Sequence, residues 1–565
     1  MPTIIKKIKK GKPYWYAVEC QRVEGKPRIV WQKYLGTVES IIKKTQDGTA
    51  PEPKEVQVRY FGGVAALLAV AEELQLRQIV DQHIPKRNQG ASIGQYMLLA
   101  AINRALAPTS KSKIGTWYGE TILKRLWRLD ENTFTSQRFW DAMSAVSEDL
   151  IDKIEHDLVK RIVELTGEDL SALLYDTTNF PTFIHTLNER NSIAQRGNAK
   201  SKRFDLRLVG LALIVTQKFG IPLFHKVYAG NINDVTTFQS VSWALAERYR
   251  RLSEACEDLT LVFDKGNNSE DNFTILELEN IHFVASLVPS HHPDLLTVPL
   301  DEFEDLEGEQ FAGVRAYRTQ KEVFGQLRTV VITFSESFFT QQTQGLVAQL
   351  AKCVEKLEAL NKRLLAWRKK TRPNGKKPTL ASVRRQVLDI LSPRHMQDLI
   401  AVQMVQTEGL PSIKYQTNRK LLDELVRTLC GKTILFTDQD AWSNEDIVKA
   451  YRGQSDIENA FRDMNNWDFL RWEPMFHWTD QKIRVHAFYC VVALTLVSLL
   501  RRKALLAEID LSTHKLLESL SKIYETVVVY PPDKPPAPPR LATVLSRMDS
   551  IQRKLYHALD LKAWS

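Results

Sequence analysis

SALLYDTTNF, residues 171–180, reads as a buried β-strand that ends on a carboxylate. Ala172, Leu173, Leu174 and Tyr175 form the short unbroken apolar run of a strand covered on both faces, and Asp176 stands where the run stops. An isolated Asp before two threonines ordinarily serves as a turn or helix-cap residue. Asp176 is not isolated in this sense, because LTLVFD closes on Asp264 in the same manner. A carboxylate at the end of a central strand is held rigidly while its side chain emerges at the edge of the sheet, so neighbouring strands would bring the two acids together.

The flanking pattern supplies that sheet. Strands SALLYD, LRLVGLALIVTQ, IPLFHKVYAG and LTLVFD follow in order, with a helical TTFQSVSWALAERYRR before the fourth and a helix and IHFVASLV after it. The order β-β-β-α-β is expected of a ribonuclease H-like core, a mixed sheet flanked by helices. A third acid would come from a helix packed across the sheet edge. Glu458 is the candidate, in SNEDIVKAYRGQSDIENAFRDMNN, with Tyr451 and Arg462 on the same face and Asp456 as the runner-up. Ser443 and Asp446 give that helix its capping signal. Eighty-eight positions separate Asp176 from Asp264 (264 − 176), and 194 separate Asp264 from Glu458 (458 − 264), so an inserted domain is expected in the second interval.

Three crowded carboxylates repel unless cations neutralise them. Hard oxygen ligands suit Mg²⁺, with Mn²⁺ as substitute, and two such ions would activate a water or 3′-hydroxyl for in-line attack on a phosphodiester. Asp176, Asp264 and Glu458 are thus expected to be both the catalytic residues and the metal ligands.

At 565 residues the chain is too long for one core. The expected organisation is a basic β-hairpin module at 1–50, a helical DNA-binding or dimerisation domain at 56–166, a catalytic core at 167–290 and 430–505, an insertion at 291–429, and a C-terminal helical tail at 506–565. In the first, KPYWYAVECQRVEGKPRIVWQKYL reads as two strands around EGK. In the second, IDKIEHDLVKRIVELTG places Ile151, Ile154, Leu158, Ile162 and Leu165 on one helix face before Gly167. In the insertion, Leu346, Leu350, Cys353, Leu357, Leu360, Leu364 and Trp367 form a heptad-like seam, read as a packed helical hairpin with a basic tip, RKKTRPNGKK.

The net charge of +10 favours a polyanionic partner. Five scattered cysteines without a CxxC pair suggest neither a disulfide framework nor a zinc site. MPTIIKKIKKGK lacks a following apolar region and is not read as a signal peptide, and AFYCVVALTLVSLL, at 487–500, is read as a buried core helix rather than a membrane span. His486, in KIRVHAFYCVV, is read as structural; Trp467, Trp472 and Trp478 are expected to pack in the core or a loop.

These residues carry a resemblance. The chain resembles bacterial insertion-sequence DDE transposases, in particular the group with a large insertion before the third acid and a Y-x2-R-x3-E-x6-K signature. YRGQSDIENAFRDMN matches at Tyr451 and Glu458, whereas Gln454 stands for the Arg and Asn465 for the Lys. Gly230, Asn231 and Asp234 in GNIND, the basic Lys202 and Arg203 ahead of Asp205, PTSKSKIGTWYGET at 108–121 and the hairpin ending KYLG are also similar to the family, so the likeness reaches about residue 503.

The resemblance implies an endonuclease and strand-transfer enzyme of DNA recombination that binds the terminal inverted repeats of its own element. Its partners would be double-stranded end and target DNA, its assembly on DNA a homodimer, and its setting the nucleoid of a bacterial cytoplasm. Candidate DNA contacts are Lys202, Arg203, Lys265, Tyr451, Arg452, Arg462, Lys369, Lys370, Arg372, Lys376 and Lys377. Two other readings use the same residues: a ribonuclease H-like nuclease without strand transfer, and a catalytically silent DNA-binding protein derived from a transposase.

Overall fold

The computed structural model describes residues 2–23, 26–46, 53–85, 90–185, 187–199, 203, 205–252, 259–368, 377–407, 410–531 and 538–565. The chain divides into two compact units, one of Met1–Ala65, Gly119–Trp127 and Glu518–Ser565, the other of Ala66–Tyr118 and Arg128–Leu517.

The larger unit is built on a nine-stranded mixed sheet. Its spatial order is Pro222–Ala229, Arg207–Thr216, Ala172–Thr182, Thr260–Phe263, His282–Ser286, Lys432–Thr437, Gln326–Ser335, Val314–Val323 and Glu304–Asp305. The first five strands in chain order therefore lie as 3-2-1-4-5. Strands one to three are antiparallel neighbours, while the fourth runs parallel to the first and the fifth parallel to the fourth. The remaining pairings are antiparallel. The sheet thus runs on through Val314–Val323 and Gln326–Ser335, inside the stretch expected to be inserted. Strands Ala172–Thr182, Arg207–Thr216 and Thr260–Phe263 are buried over nearly their whole length, which explains their apolar runs.

Beyond the sheet, the 33-residue helix Glu336–Arg368 folds back on Leu380–Ile390 and the hairpin Ile400–Thr407/Leu410–Thr417. Cys353, Leu357, Leu360 and Leu364 bury against Val383, Val387, Leu399 and Ile413. The heptad seam therefore closes within the chain, as a helical hairpin.

Asp480–Leu506 is the central helix, packed on helix Ile93–Leu106 and strand Pro222–Ala229. Its apolar window is long enough to cross a bilayer, but 94% of it is buried in the protein. Helix Glu148–Thr166 starts on a Ser147 cap and stops at Gly167, which adopts φ +60°. Ile151, Ile154, Leu158 and Ile162 are buried as expected, whereas Leu165, in the last turn, is exposed.

The smaller unit holds two three-stranded antiparallel sheets. The N-terminal one has three strands, Pro2–Lys9, Lys12–Val23 and Lys26–Gly36, one more than the two read from sequence. The other joins Glu55–Tyr60 to Tyr524–Tyr530 and Arg540–Leu545, so the expected helical tail contains a β-hairpin. Fully buried Glu525 forms ion pairs there with Arg125, at 2.7 Å, and Arg59, at 3.6 Å.

Candidate active site

The site begins with register. Ala172 pairs with Thr260, Leu173 with Leu261 and Leu174 with Val262, a constant offset of 88 positions (260 − 172). The same offset separates Asp176 from Asp264, so the two acids continue the parallel register onto one level of adjacent strands, which lie roughly 4.8 Å apart. The ladder's last pair is Leu174 with Val262, two residues short of them, and both side chains are only half-buried. Asp264 does follow the end of its strand, but Asp176 does not end its own: Ala172–Thr182 continues six residues beyond it, paired with Arg207–Thr216, so Asp176 lies mid-strand, just past the end of the parallel ladder with Thr260–Phe263.

Asp264 is held by two hydroxyls. Ser286 Oγ donates to its Oδ1 at 2.8 Å, and Tyr451 Oη donates to the same oxygen at 3.2 Å. Ser286 follows from the sheet as well: Phe263 pairs with Ala285, so Ser286 is the register partner of Asp264 on the third parallel strand. Burial, reinforced by the neighbouring Asp264 carboxylate, holds the Tyr451 hydroxyl well above the ordinary tyrosine range, and Glu458 adds to the effect. Tyr451 is therefore a neutral donor between two acids. The Thr177 backbone N–H donates to Asp176 Oδ1 at 2.7 Å.

The expected single helix around Glu458 is two helices, Asn444–Arg452 and Gln454–Met464, separated at Gly453. Ser443 caps the first, accepting from Asp446 N at 3.1 Å and donating to Asp446 Oδ2 at 2.7 Å. A Cβ on Gly453 would lie 3.0 Å from Leu174 Cδ2, so the glycine lets the break sit directly on the Asp176 strand. Gln454, just after it, is buried and donates through Nε2 to the carbonyls of Tyr175, at 3.2 Å, and Val262, at 2.6 Å.

Glu458 is exposed and lines a cleft of about 360 Å³ with Tyr451, Arg452, Gln454 and Ser455. Among the described residues, no three His, Cys, Asp or Glu side chains converge closely enough to hold a metal ion, so Asp176, Asp264 and Glu458 do not form a closed three-carboxylate cluster. The pair Asp176 and Asp264 suits Mg²⁺, which is commonly held by one or two carboxylates together with waters and substrate phosphate oxygens. Asp456, the runner-up, is half-buried on another side of the helix, where desolvation raises its pKa.

The basic candidates divide. Lys265 is half-exposed, its ammonium 3.8 Å from Asp264. Arg452 donates to the Gln310 carbonyl at 2.7 Å and lies over the Phe311 ring. Arg462 is exposed and bonds Asn459, one turn earlier. Arg203 makes a two-pronged pair with Asp205, which holds that carboxylate down to about 2, and Lys377 is exposed. Lys202, Lys369, Lys370, Arg372 and Lys376 lie outside the described residues. Asn465, in the signature's lysine position, closes the Glu458 helix by donating to the Phe461 carbonyl at 2.9 Å.

The segment after that helix is tied down from behind. Trp472 stacks on Phe180 of the Asp176 strand at 4.4 Å, and Arg104 donates to the carbonyls of Arg471 and Glu473 at 2.9 and 2.8 Å. His486 is fully buried and bonds the Trp472 carbonyl and Tyr489, the structural role expected of it. Trp467 and Trp478 are exposed.

Fold and site together define a class: a mixed α/β protein whose neighbouring parallel strands carry Asp176 and lead into Asp264, with the helix bearing Glu458 packed against the Asp176 strand. Residues 167–496 match the transposase DDE domain family, more than half of the chain, and the protein belongs to that family. It is a transposase by descent. No curated protein matches the sequence. Among solved structures the chain is similar to a piggyBac transposase synaptic complex with hairpin DNA, determined by cryo-electron microscopy, at 8% identity and a TM-score of 0.37, covering 83% of this chain and 82% of that one.

Proposed function

We propose that the protein binds the terminal inverted repeats of its own element and carries out metal-dependent DNA cleavage and strand transfer with Asp176, Asp264 and Glu458. The observation that carries this reading is the 88-position register shared by Asp176 and Asp264 on adjacent parallel strands in a chain of the DDE family. The strand order 3-2-1-4-5, with its two parallel neighbours, supports a ribonuclease H-like core.

Asp176 and Asp264 would hold a Mg²⁺ or Mn²⁺ ion, and a second ion would require Glu458 as well. Bound there, the metal would neutralise charge on the scissile phosphate and activate the attacking oxygen. The chain's own residues prepare that place. Ser286 and Tyr451 orient the Asp264 carboxylate through one oxygen and leave the other free of those two bonds. Tyr451, held neutral, donates without contributing a competing anion. Lys265, Arg452 and Arg462 place positive charge around the edge, where DNA phosphates would run. Paired ends would be cut by a homodimer assembled on DNA in a bacterial cytoplasm.

The test uses duplexes carrying the element's flanking ends with Mg²⁺ or Mn²⁺, comparing wild type with Asp176→Asn and Glu458→Gln. Cutting and joining by the wild type, lost at least 100-fold in both variants with end binding retained, is the expected result. Cleavage without joining would indicate the nuclease reading. End binding without wild-type chemistry would indicate the silent DNA-binding protein.

A further inference from the structure

We infer that Gln454 is a positioning residue that sets the spacing of Asp176 and Asp264 and couples it to the helix bearing Glu458; this rests on reading Asp176 and Asp264 as the metal-holding pair. One side-chain nitrogen reaches carbonyls on two different strands, Tyr175 on the Asp176 strand and Val262 on the Asp264 strand. It therefore lies between the strands at the point where the register Leu174 to Val262 gives way to the acids. Tyr175 immediately precedes Asp176, and Val262 precedes Asp264 by two residues. Glu458 lies four residues further along the same helix, one turn from the bridge.

The chemistry requires an amide. Two carbonyl oxygens need two protons from one short arm, and the Gln NH₂ supplies both without charge. The position is buried, so a lysine or arginine would have to desolvate a cation there, and a glutamate would oppose both carbonyls. The departure from the family signature at this position is then a local solution, in which a neutral donor clamps the strands instead of a cation. Gly453 is the companion feature, since its missing side chain allows the start of the helix to approach Leu174 closely enough for the amide to reach.

The experiment compares full-length wild type, Gln454→Met and Gln454→Asn. Methionine keeps the length and removes the donors; asparagine keeps the amide on an arm one methylene shorter. Two quantities are read: Mn²⁺ affinity by direct titration without DNA, with Asp176→Asn as the control for the site, and cleavage of end DNA across a Mn²⁺ series. A misplacement of about 1 Å costs roughly 100-fold in rate. For Gln454→Met we expect Mn²⁺ affinity at least tenfold weaker, kcat lowered by about 10- to 100-fold, KM for DNA unchanged, and partial recovery at high Mn²⁺; Gln454→Asn should fall between. Should the methionine variant fail to fold, the asparagine variant alone is read against wild type in the same way. Mn²⁺ affinity and kcat within twofold of wild type, or a loss confined to DNA affinity, would overturn the inference. Wild-type protein that binds no Mn²⁺, or binds it regardless of Asp176→Asn, would instead overturn the metal-pair reading, and the bridge would have no metal-holding acids to space.

Discussion

At the scale of single residues, the site rests on short hydroxyl contacts to one carboxylate. A hydrogen bond to a charged group contributes about 1.5–3 kcal/mol, roughly a factor of 10 or more in rate if it holds a reacting group in place. Tyr451→Phe removes one of the two hydroxyl donors to Asp264 and leaves Ser286, so cleavage of end DNA should fall by roughly tenfold with end binding intact. The same variant has a pH signature. The Tyr451 pKa is raised above its ordinary 10, so the folded state keeps a proton that the unfolded chain loses; its contribution is complete below pH 10 and declines above it. Urea unfolding from pH 9 to 11 should therefore show a shallower alkaline loss of stability in Tyr451→Phe than in wild type. Asp176 and Asp264 could be singled out in sequence because an apolar run closing on Asp is a local pattern, but the strand carrying Asp176 runs on through TTNFPT, whose polar residues hid its continuation. Ser286 closes the third parallel strand by the same rule, but a hydroxyl carries no chemical signature, and it was missed. Gln454 registered only as an absent arginine, since a bond to two carbonyls 192 and 279 positions away depends on packing that no local pattern reports.

At the scale of elements, the break at Gly453 decides how the Glu458 helix meets the sheet. A Cβ there would lie 3.0 Å from Leu174 Cδ2, 3.1 Å from the Ala450 carbonyl and 3.3 Å from Gln217 Cγ. Overpacking of that kind costs about 1–3 kcal/mol. Gly453→Ala should lower stability by about 1 kcal/mol and Gly453→Val by more, with activity falling more steeply than stability as the helix backs away from the Asp176 strand; thermal melts and cleavage rates on the same preparations check both. The core behind the site predicts a second pH dependence. Lys111 donates to Tyr489 at 2.8 Å, Tyr489 bonds His486, and His477 lies 3.2 Å from His486, with Arg104 and Cys490 beside them. Burial first, then the surrounding cations, hold Lys111, His477 and His486 well below their ordinary values. For each, the unfolded chain binds the proton more tightly, so stability is present above the unfolded pKa and is lost as pH falls. The two histidines should make the protein less stable progressively below about pH 6.5, and His477→Gln should flatten that acid limb in melts between pH 7 and 5. Elements with strong local periodicity, such as the Glu148–Thr166 helix and the apolar central helix, were legible; those made by distant partners were not. Tyr524–Tyr530 needed Glu55–Tyr60, more than 460 positions earlier, to become a strand, and YETVVVY had no local partner to declare it.

At the scale of the whole molecule, the question is what the positive charge does. A net +10 is spread over 77 basic and 67 acidic residues, so the excess acts only where bases outnumber acids locally. The N-terminal sheet is such a place: its first strand and turn carry Lys6, Lys7, Lys9, Lys10 and Lys12 beside exposed Ile4 and Ile8. The stretch RKKTRPNGKK is another. If these segments neutralise phosphates, binding must release condensed counterions. A protein making about 6–10 phosphate contacts then shows a slope of roughly −5 to −9 in log K against log salt, and loses about 10³–10⁵ in affinity between 50 and 200 mM salt. Fluorescence anisotropy with end DNA across that range should give such a slope for the wild type. Each phosphate contact removed lowers its magnitude by about 0.9, so replacing both Lys369 and Lys370 by Ala should reduce it by about 2 while leaving preference for end DNA over random duplex unchanged. An unchanged slope would remove this stretch from the DNA path and leave the N-terminal sheet and the Lys265, Arg452 and Arg462 rim to carry the phosphates. A reduced slope together with lost end preference would mean that the same lysines also read the ends, because phosphate contacts alone position a duplex without distinguishing its sequence.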